Sequence, residues 1–256
     1  LISAISFTFV GFHLTTAFYR GTFTELMSYT YVPLILVFSR ESLKKDTEKP
    51  VLKAITAGIF LSGLLLTHLP TAYSAVYIIT LSVIYSFLDE LFARQFTYTR
   101  AISMLVLYLI PIGIGIGLTA WWIIPAYTQT STILWDIEVS LSTGGNPAGH
   151  FVSLPQLYTR ELWWRMRGSK IGVAGEMPFY IGTVALGLAL FSFLLKPKDK
   201  NSKFFMVLLI VSLVFSDYPS TFIYYYVPLI SFFKWPWRFL LPASIAIAYL
   251  VGITVN

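Results

Sequence analysis

The sequence predicts an all-α polytopic membrane protein of about eight transmembrane helices, with one long extracytoplasmic loop that carries an interfacial helix. Three observations predict it. Of the 256 residues, 56% are hydrophobic and only 12% charged, where soluble domains usually reach about 25% charged, and the mean hydropathy is +0.72. The apolar residues gather into runs near the length a bilayer demands, about 17 to 25 residues per spanning helix. The lysines and arginines fall unequally on alternate connections between those runs, as topology requires of a multi-pass protein.

Taken in order, the runs are Leu1 to Phe18, Leu26 to Phe38, Ala54 to Leu66, Ala72 to Leu88, Ala101 to Ile124, Pro178 to Leu195, Phe204 to Ser216 and Phe239 to Val255. Several are short for a span. They either extend through polar flanks or form half-helices shielded by neighbours, since irregular backbone at membrane depth is tolerated only inside protein or beside water. Arg40, Lys44, Lys45, Lys49 and Lys53 fill one connection, Arg94 and Arg100 flank another, and Lys196, Lys198, Lys200 and Lys203 fill a third. These eleven stand against seven on the alternate side, which places the first set and both chain ends in the cytoplasm. The chain reads as a single transmembrane domain, 1–256, with 127–177 as its outer loop. Within that loop, Leu154 to Arg167 mixes Leu157, Leu162, Trp163, Trp164 and Met166 with three arginines, a composition suited to a helix lying in the interface plane. All seven tryptophans fall on the outer side of this topology. Belts normally occupy both interfaces, so a one-sided set either anchors the outer loop or forms a platform for sugars or lipid heads.

Composition also excludes chemistry. The chain has no cysteine, so it holds no disulfide, thiolate zinc site, iron–sulfur cluster or cysteine nucleophile. His13, His68 and His150 stand far apart without an HExxH pattern. The net charge of +6 reports loop topology, not nucleic-acid binding. The sequence opens on a non-Met residue inside an apolar run without a signal-peptide n-region or cleavage site, as expected of a fragment lacking the N-terminal part of a longer protein.

Several constellations can carry function. Arg20 and Glu25 flank a turn that Gly21 permits, where the first run leaves the membrane. They suit a helix-end ion pair that fixes a hairpin, or a phosphate site, for which the planar fork of Arg20 is well made. His68, in Thr67-His68-Leu69-Pro70, suits a hydrogen-bonded turn or a polar site group. Lys234-Trp235-Pro236-Trp237-Arg238 interleaves cations with indoles, which fits anionic lipid heads or a sugar phosphate as well as an aromatic belt with snorkelling bases. Asp217 is the nearest acid in sequence, placed to neutralise Lys234 or Arg238 or to help hold a metal. Gly113 and Gly117 form a small-xxx-small pair that predicts close helix packing.

With these residues the chain resembles the microbial membrane proteins described as "6-pyruvoyl-tetrahydropterin synthase-related domain" proteins, relatives of the YfhO-like proteins and of the GT-C glycosyltransferase superfamily. The resemblance rests on Arg20-Gly-x-x-x-Glu25-Leu26, Val32-Pro33-Leu34, Leu66-Thr67-His68-Leu69-Pro70, Ala120 to Ala126, Phe151 to Leu157 and Phe233 to Leu240, in that order over nearly the whole chain. The pterin name carries no functional weight, because pterin synthases are soluble zinc enzymes and the histidine cluster they need is absent. What the resemblance implies is a GT-C-like fold in the plasma membrane of a prokaryote and transfer of a sugar from a polyprenyl-phosphate-linked donor to a glycan or glycoconjugate acceptor. The key acids of that superfamily lie in its first outer loop, which by this resemblance falls upstream of Leu1. Such a reaction calls for an acid or base, a divalent cation in the full-length protein, and cations for the phosphate. Arg20, Lys234 and Arg238 are expected at the phosphate, Glu25, His68 and Asp217 in support, and Trp235 and Trp237 as a sugar or lipid-head platform. Two other classes compete: a lipid or glycan transporter or flippase, which predicts mid-span charges and an inverted repeat, and a non-catalytic membrane scaffold of the same family.

Overall fold

The computed structural model describes residues 1–129, 150–153, 156–157, 179–195, 199–226 and 235–255. The expectations that fall on Trp135, Trp163, Trp164, Lys196, Lys198, Lys234 and most of the interfacial helix lie outside those residues. Among the described residues every regular element is helical, and four helices are long and apolar enough to cross a membrane: Pro50–Thr67, Leu69–Phe92, Tyr98–Thr128 and Pro236–Val255. The chain divides into two units, Leu1–Leu26 with Asp136–Asn256, and Met27–Trp135.

The 27–135 unit is a helical bundle. Helix α4 (Tyr31–Leu43) buries Val32, Ile35, Leu36, Ser39, Ser42 and Leu43, the three-and-four spacing of one helical face. Pro33 lies in its first turn, where proline is tolerated. Pro50 opens α5 (Pro50–Thr67) at its first position, after Lys49 in left-handed backbone at φ 55°, an order that suits a missing N–H at the helix start. Helices α6 (Leu69–Phe92) and α7 (Tyr98–Thr128) complete the bundle. At 1.5 Å per residue, α6 and α7 reach about 36 and 46 Å, beyond the roughly 30 Å of bilayer hydrocarbon.

The tightest packing joins α5 to α7. A Cβ on Gly58 would stand 2.7 Å from the Ile114 Cβ, and one on Gly115 would stand 2.9 Å from the Leu61 side chain. The expectation for Gly113 and Gly117 is corrected here, since no described residue lies within 4 Å of where their Cβ atoms would be. Glycine recurs every second residue in that run, and only one phase faces α5. The buried stripe of α7 is Met104, Leu107, Pro111, Gly115 and Thr119. The other side of α7 exposes Ile102, Leu105, Leu109, Ile116, Leu118 and Trp121, an apolar surface that suits hydrocarbon and not water.

The other unit is built around its last helix. Helix α1 (Ile2–Thr8) is followed by α2 (Gly11–Leu14), a π-helical turn (Thr15–Tyr19) and α3 (Phe23–Ser28). Later come α8 (Thr183–Leu195), α9 (Lys200–Ser216), α10 (Thr221–Tyr226) and α11 (Leu240–Val255). Helices α1, α8 and α9 all pack on α11, whose residues Leu240 to Ala248 are buried without a break. A helix apolar on every side and covered on every side is a core helix. The apolar run Leu1 to Phe18 is therefore not one helix. It breaks at Val10, which is extended, because the Tyr180 carbonyl oxygen would lie 2.0 Å from a Cβ on Gly11. Glycine lets another strand of backbone cross the chain there.

Candidate functional site

Two short irregular segments build the site. The first follows the break at Val10. The N–H of Arg20 donates to the Thr15 carbonyl at 3.0 Å, the five-residue step of the π turn, a feature often found where a helix is re-aimed at a functional site. Gly21 then takes φ +58°, and α3 begins with Glu25 in its first turn. The reversal brings the two side chains together. Arg20 Nη1 donates to Glu25 Oε1 at 2.8 Å and Nη2 stands 2.7 Å from Oε2, a two-pronged pairing that is the strong form of this interaction. The Glu25 side chain is only 3% exposed and that of Arg20 16%. Thr22 Oγ1 lies 3.5 Å from the same carboxylate.

The second segment is the 3₁₀ turn Pro236–Phe239, which leads into α11. Trp235 is extended, Pro236 starts the turn, and Arg238 N–H donates to the Trp235 carbonyl at 3.0 Å. In a 3₁₀ turn residues three apart eclipse, so Arg238 falls over the Trp235 ring, its Cζ 4.1 Å from the centroid. Trp237 is the hub. The Arg20 Cζ lies 4.4 Å and the Arg238 Cζ 5.5 Å from its ring centroid, both inside the roughly 6 Å range of cation–π attraction. Phe12, Phe179 and Trp235 surround the same ring at centroid distances of 6.2, 6.1 and 6.3 Å. Trp237 is 5% exposed and Arg238 9%, so the indole faces protein and not bulk lipid.

Of the residues expected at the site, Arg20, Glu25, Trp235, Trp237 and Arg238 thus assemble in one place. Lys234 lies outside the described residues. Asp217 ends α9, and its carbonyl accepts from the N–H and hydroxyl of Ser220. His68 belongs to the other unit, where its Nδ1 stands 2.7 Å from Thr71 Oγ1 between α5 and α6. Three site residues escaped the sequence reading. Phe12 and Phe179 wall the Trp237 ring, and His150 meets Trp235 edge-on at 6.4 Å. His150 is held by its neighbours: Val152 N–H donates to the Ser216 carbonyl at 2.8 Å, and Phe151 packs edge-on against Tyr224. A weak signal existed for His150, in its place directly before the Phe151 to Leu157 element.

Among the described residues no three histidines, aspartates or glutamates stand together to hold a metal. The arrangement is suited to an anion with an apolar body, because two guanidinium groups carry the charge and aromatic faces hold them in place. No protein-family model, curated protein or solved structure matches the chain.

Proposed function

We propose that this chain forms the membrane part of a GT-C-like, glycosyltransferase-type protein that transfers a sugar from a polyprenyl-phosphate donor to a glycan or glycoconjugate acceptor at the extracytoplasmic face. The observation that carries this reading is the meeting of Arg20 and Arg238 on the Trp237 ring. Both come from connections assigned to the outer side by the distribution of basic residues. In the proposed reaction an acceptor hydroxyl attacks the anomeric carbon and gives up its proton to a general base, the bond from that carbon to the phosphate oxygen breaks, and its electron pair stays with the polyprenyl phosphate. Arg20 and Arg238 stabilise the charge that develops on that phosphate, and Trp235 offers an aromatic face to the sugar or the first isoprene unit. The eight-span count adds α1–α2, α4, α8 and α9 to the four long helices. The setting in the reading is a multi-pass protein of a prokaryotic plasma membrane.

A lipid or glycan transporter or flippase is the second reading. The broken first run favours it, since discontinuous helices build substrate sites in many transporters. The full-length protein in lipid nanodiscs, given a polyprenyl-phosphate-linked sugar labelled on the sugar, distinguishes the two. Transfer of label to a glycan acceptor is the expected outcome, and movement of label between leaflets without transfer supports the transporter. Arg238→Ala should weaken donor binding about 10- to 100-fold, the equivalent of one charge-assisted hydrogen bond, while leaving the unfolding temperature within a few degrees. Unchanged donor affinity in both Arg20→Ala and Arg238→Ala rejects the phosphate site.

A further inference from the structure

Glu25 is an unexpected neighbour for a phosphate. Its carboxylate takes both terminal nitrogens of Arg20, and at 2% exposure it is among the most buried charged residues described. A carboxylate so placed cancels the charge of Arg20 toward any further anion. A phosphate reaching Arg20 either displaces Glu25 from the terminal nitrogens or binds along the Nε edge. In both cases a second anion comes within a few ångströms of a desolvated carboxylate. Two anions that share one cation in a buried site repel each other, and a proton on the carboxylate relieves that repulsion.

We infer that Glu25 is the proton acceptor of a ligand-coupled exchange: the phosphate of the donor takes over the Arg20 cation, and Glu25 takes up one proton from solvent in the same binding step. This rests on the phosphate reading of the site and adds a property that reading does not need. Its consequence is specificity. Arg20 and Glu25 cancel at rest, so the cation of Arg20 is delivered to an anion only as Glu25 takes up a proton from solvent. Donor binding then tightens as pH falls, and release of the leaving phosphate returns the proton.

Among the described residues, the other titratable groups of the surrounding elements include His13 on α2, His150 against Trp235, and Asp217 at the end of α9, with Arg238 across the Trp237 ring. They set the controls. The probe is a polyprenyl-phosphate-linked sugar, a phosphodiester that keeps one charge across the working range, whereas a phosphomonoester titrates near pH 6. Calorimetric titration of the full-length protein in buffers of different ionisation enthalpy counts protons taken up on binding. The wild type is expected to take up close to one proton per probe bound, and its affinity to fall about tenfold per pH unit over the linked range. Glu25→Gln keeps the shape without the charge. It should bind the probe more tightly than wild type at pH 8 and lose the proton uptake, while His150→Gln and His13→Asn retain it. Probe binding without proton uptake in the wild type overturns the exchange and leaves the phosphate site standing. An uptake that survives in Glu25→Gln overturns the assignment to Glu25. Failure of the wild type to bind the probe at any pH overturns both.

Discussion

Two arginine clusters, one in each unit, each hold a buried glutamate partner but differ in what else surrounds the guanidiniums. In the 27–135 unit, Arg100 is tied through hydrogen bonds. Its Nε donates to Glu90 Oε1 at 3.1 Å, its Nη2 stands 3.1 Å from the same oxygen, and Nη2 also donates to the Leu43 carbonyl. Lys45 adds a second cation 3.7 Å from Glu90 and bonds Gln95 at 3.1 Å. That cluster joins the ends of α4, α6 and α7 and pins the two basic connections of the unit to one end. In the other unit, Arg238 and Arg20 lie against indole faces, and Arg20 is paired with Glu25 as well. A ring face attracts a guanidinium without neutralising it, and it orients the donors in the plane away from the ring. The lesson is that the two clusters have different work. A cluster closed by carboxylate and carbonyl groups alone fastens helices, whereas one that adds aromatic faces to its carboxylate sets two guanidiniums on a single ring.

The largest test breaks the fastening cluster. Glu90→Ala leaves the half-buried Arg100 without its carboxylate, and removing one partner of such a pair costs about 3 kcal/mol or more. The unfolding temperature should drop by about 6 to 12 °C, with donor affinity per folded molecule unchanged. A variant as stable as wild type would show that Glu90 does not clamp the helix ends. A smaller effect sharpens the aromatic side. Trp237→Phe keeps a ring under both guanidiniums but with a weaker face, so donor affinity should fall about fivefold, the equivalent of roughly 1 kcal/mol. Trp235→Phe, which serves Arg238 more than Arg20, should cost less. If the order is reversed, Trp237 is not the hub.

The smallest effect lies at the exposed rim of the fastening cluster. The ammonium of Lys44, hydrogen-bonded to Glu41, holds the Glu41 carboxyl below its ordinary value, with Lys53 adding charge at 3.6 Å. A lowered carboxyl contributes stability above the unfolded value and loses it as pH falls through the folded one. Acid titration into the range below pH 4.5 should therefore cost the wild type slightly more stability than Lys44→Gln. Identical acid profiles would remove Lys44 from the account.

Legibility followed sequence distance. The pairing of Arg20 with Glu25 could be read because five residues and one glycine span it, and the contact of Trp235 with Arg238 because a proline sets a tight turn between them. The contact of Arg20 with Trp237 could not, since it joins opposite ends of the chain through the packing of α2 and the turn before α11. The break at Gly11 was hidden for a related reason. Hydropathy sums side chains, and nothing in Leu1 to Phe18 marks where the Tyr180 backbone crosses. His68 read more readily as a hydrogen-bonded turn residue than as a site group, and its bond to Thr71 fits the turn.

By itself the sequence determined that the described chain is helical and apolar, where its long helices lie, and which short motifs bear charge, because these follow from local composition and from turns a few residues long. Only the tertiary structure decided which apolar surfaces are core. Helix α7 is the more apolar, with mean hydropathy 2.3 against 1.8 for the segment Pro236–Val255, yet 22% of its apolar window is buried against 72%. Lipid and protein interior are both apolar, so hydropathy carries no sign that tells them apart, and packing against particular neighbours alone makes the distinction. The same holds for charge. Local partners such as Glu25 for Arg20 and Trp235 for Arg238 lie within a few residues, but the Trp237 ring on Arg20 and the Leu43 carbonyl on Arg100 are delivered by distant segments, and only packing supplies those.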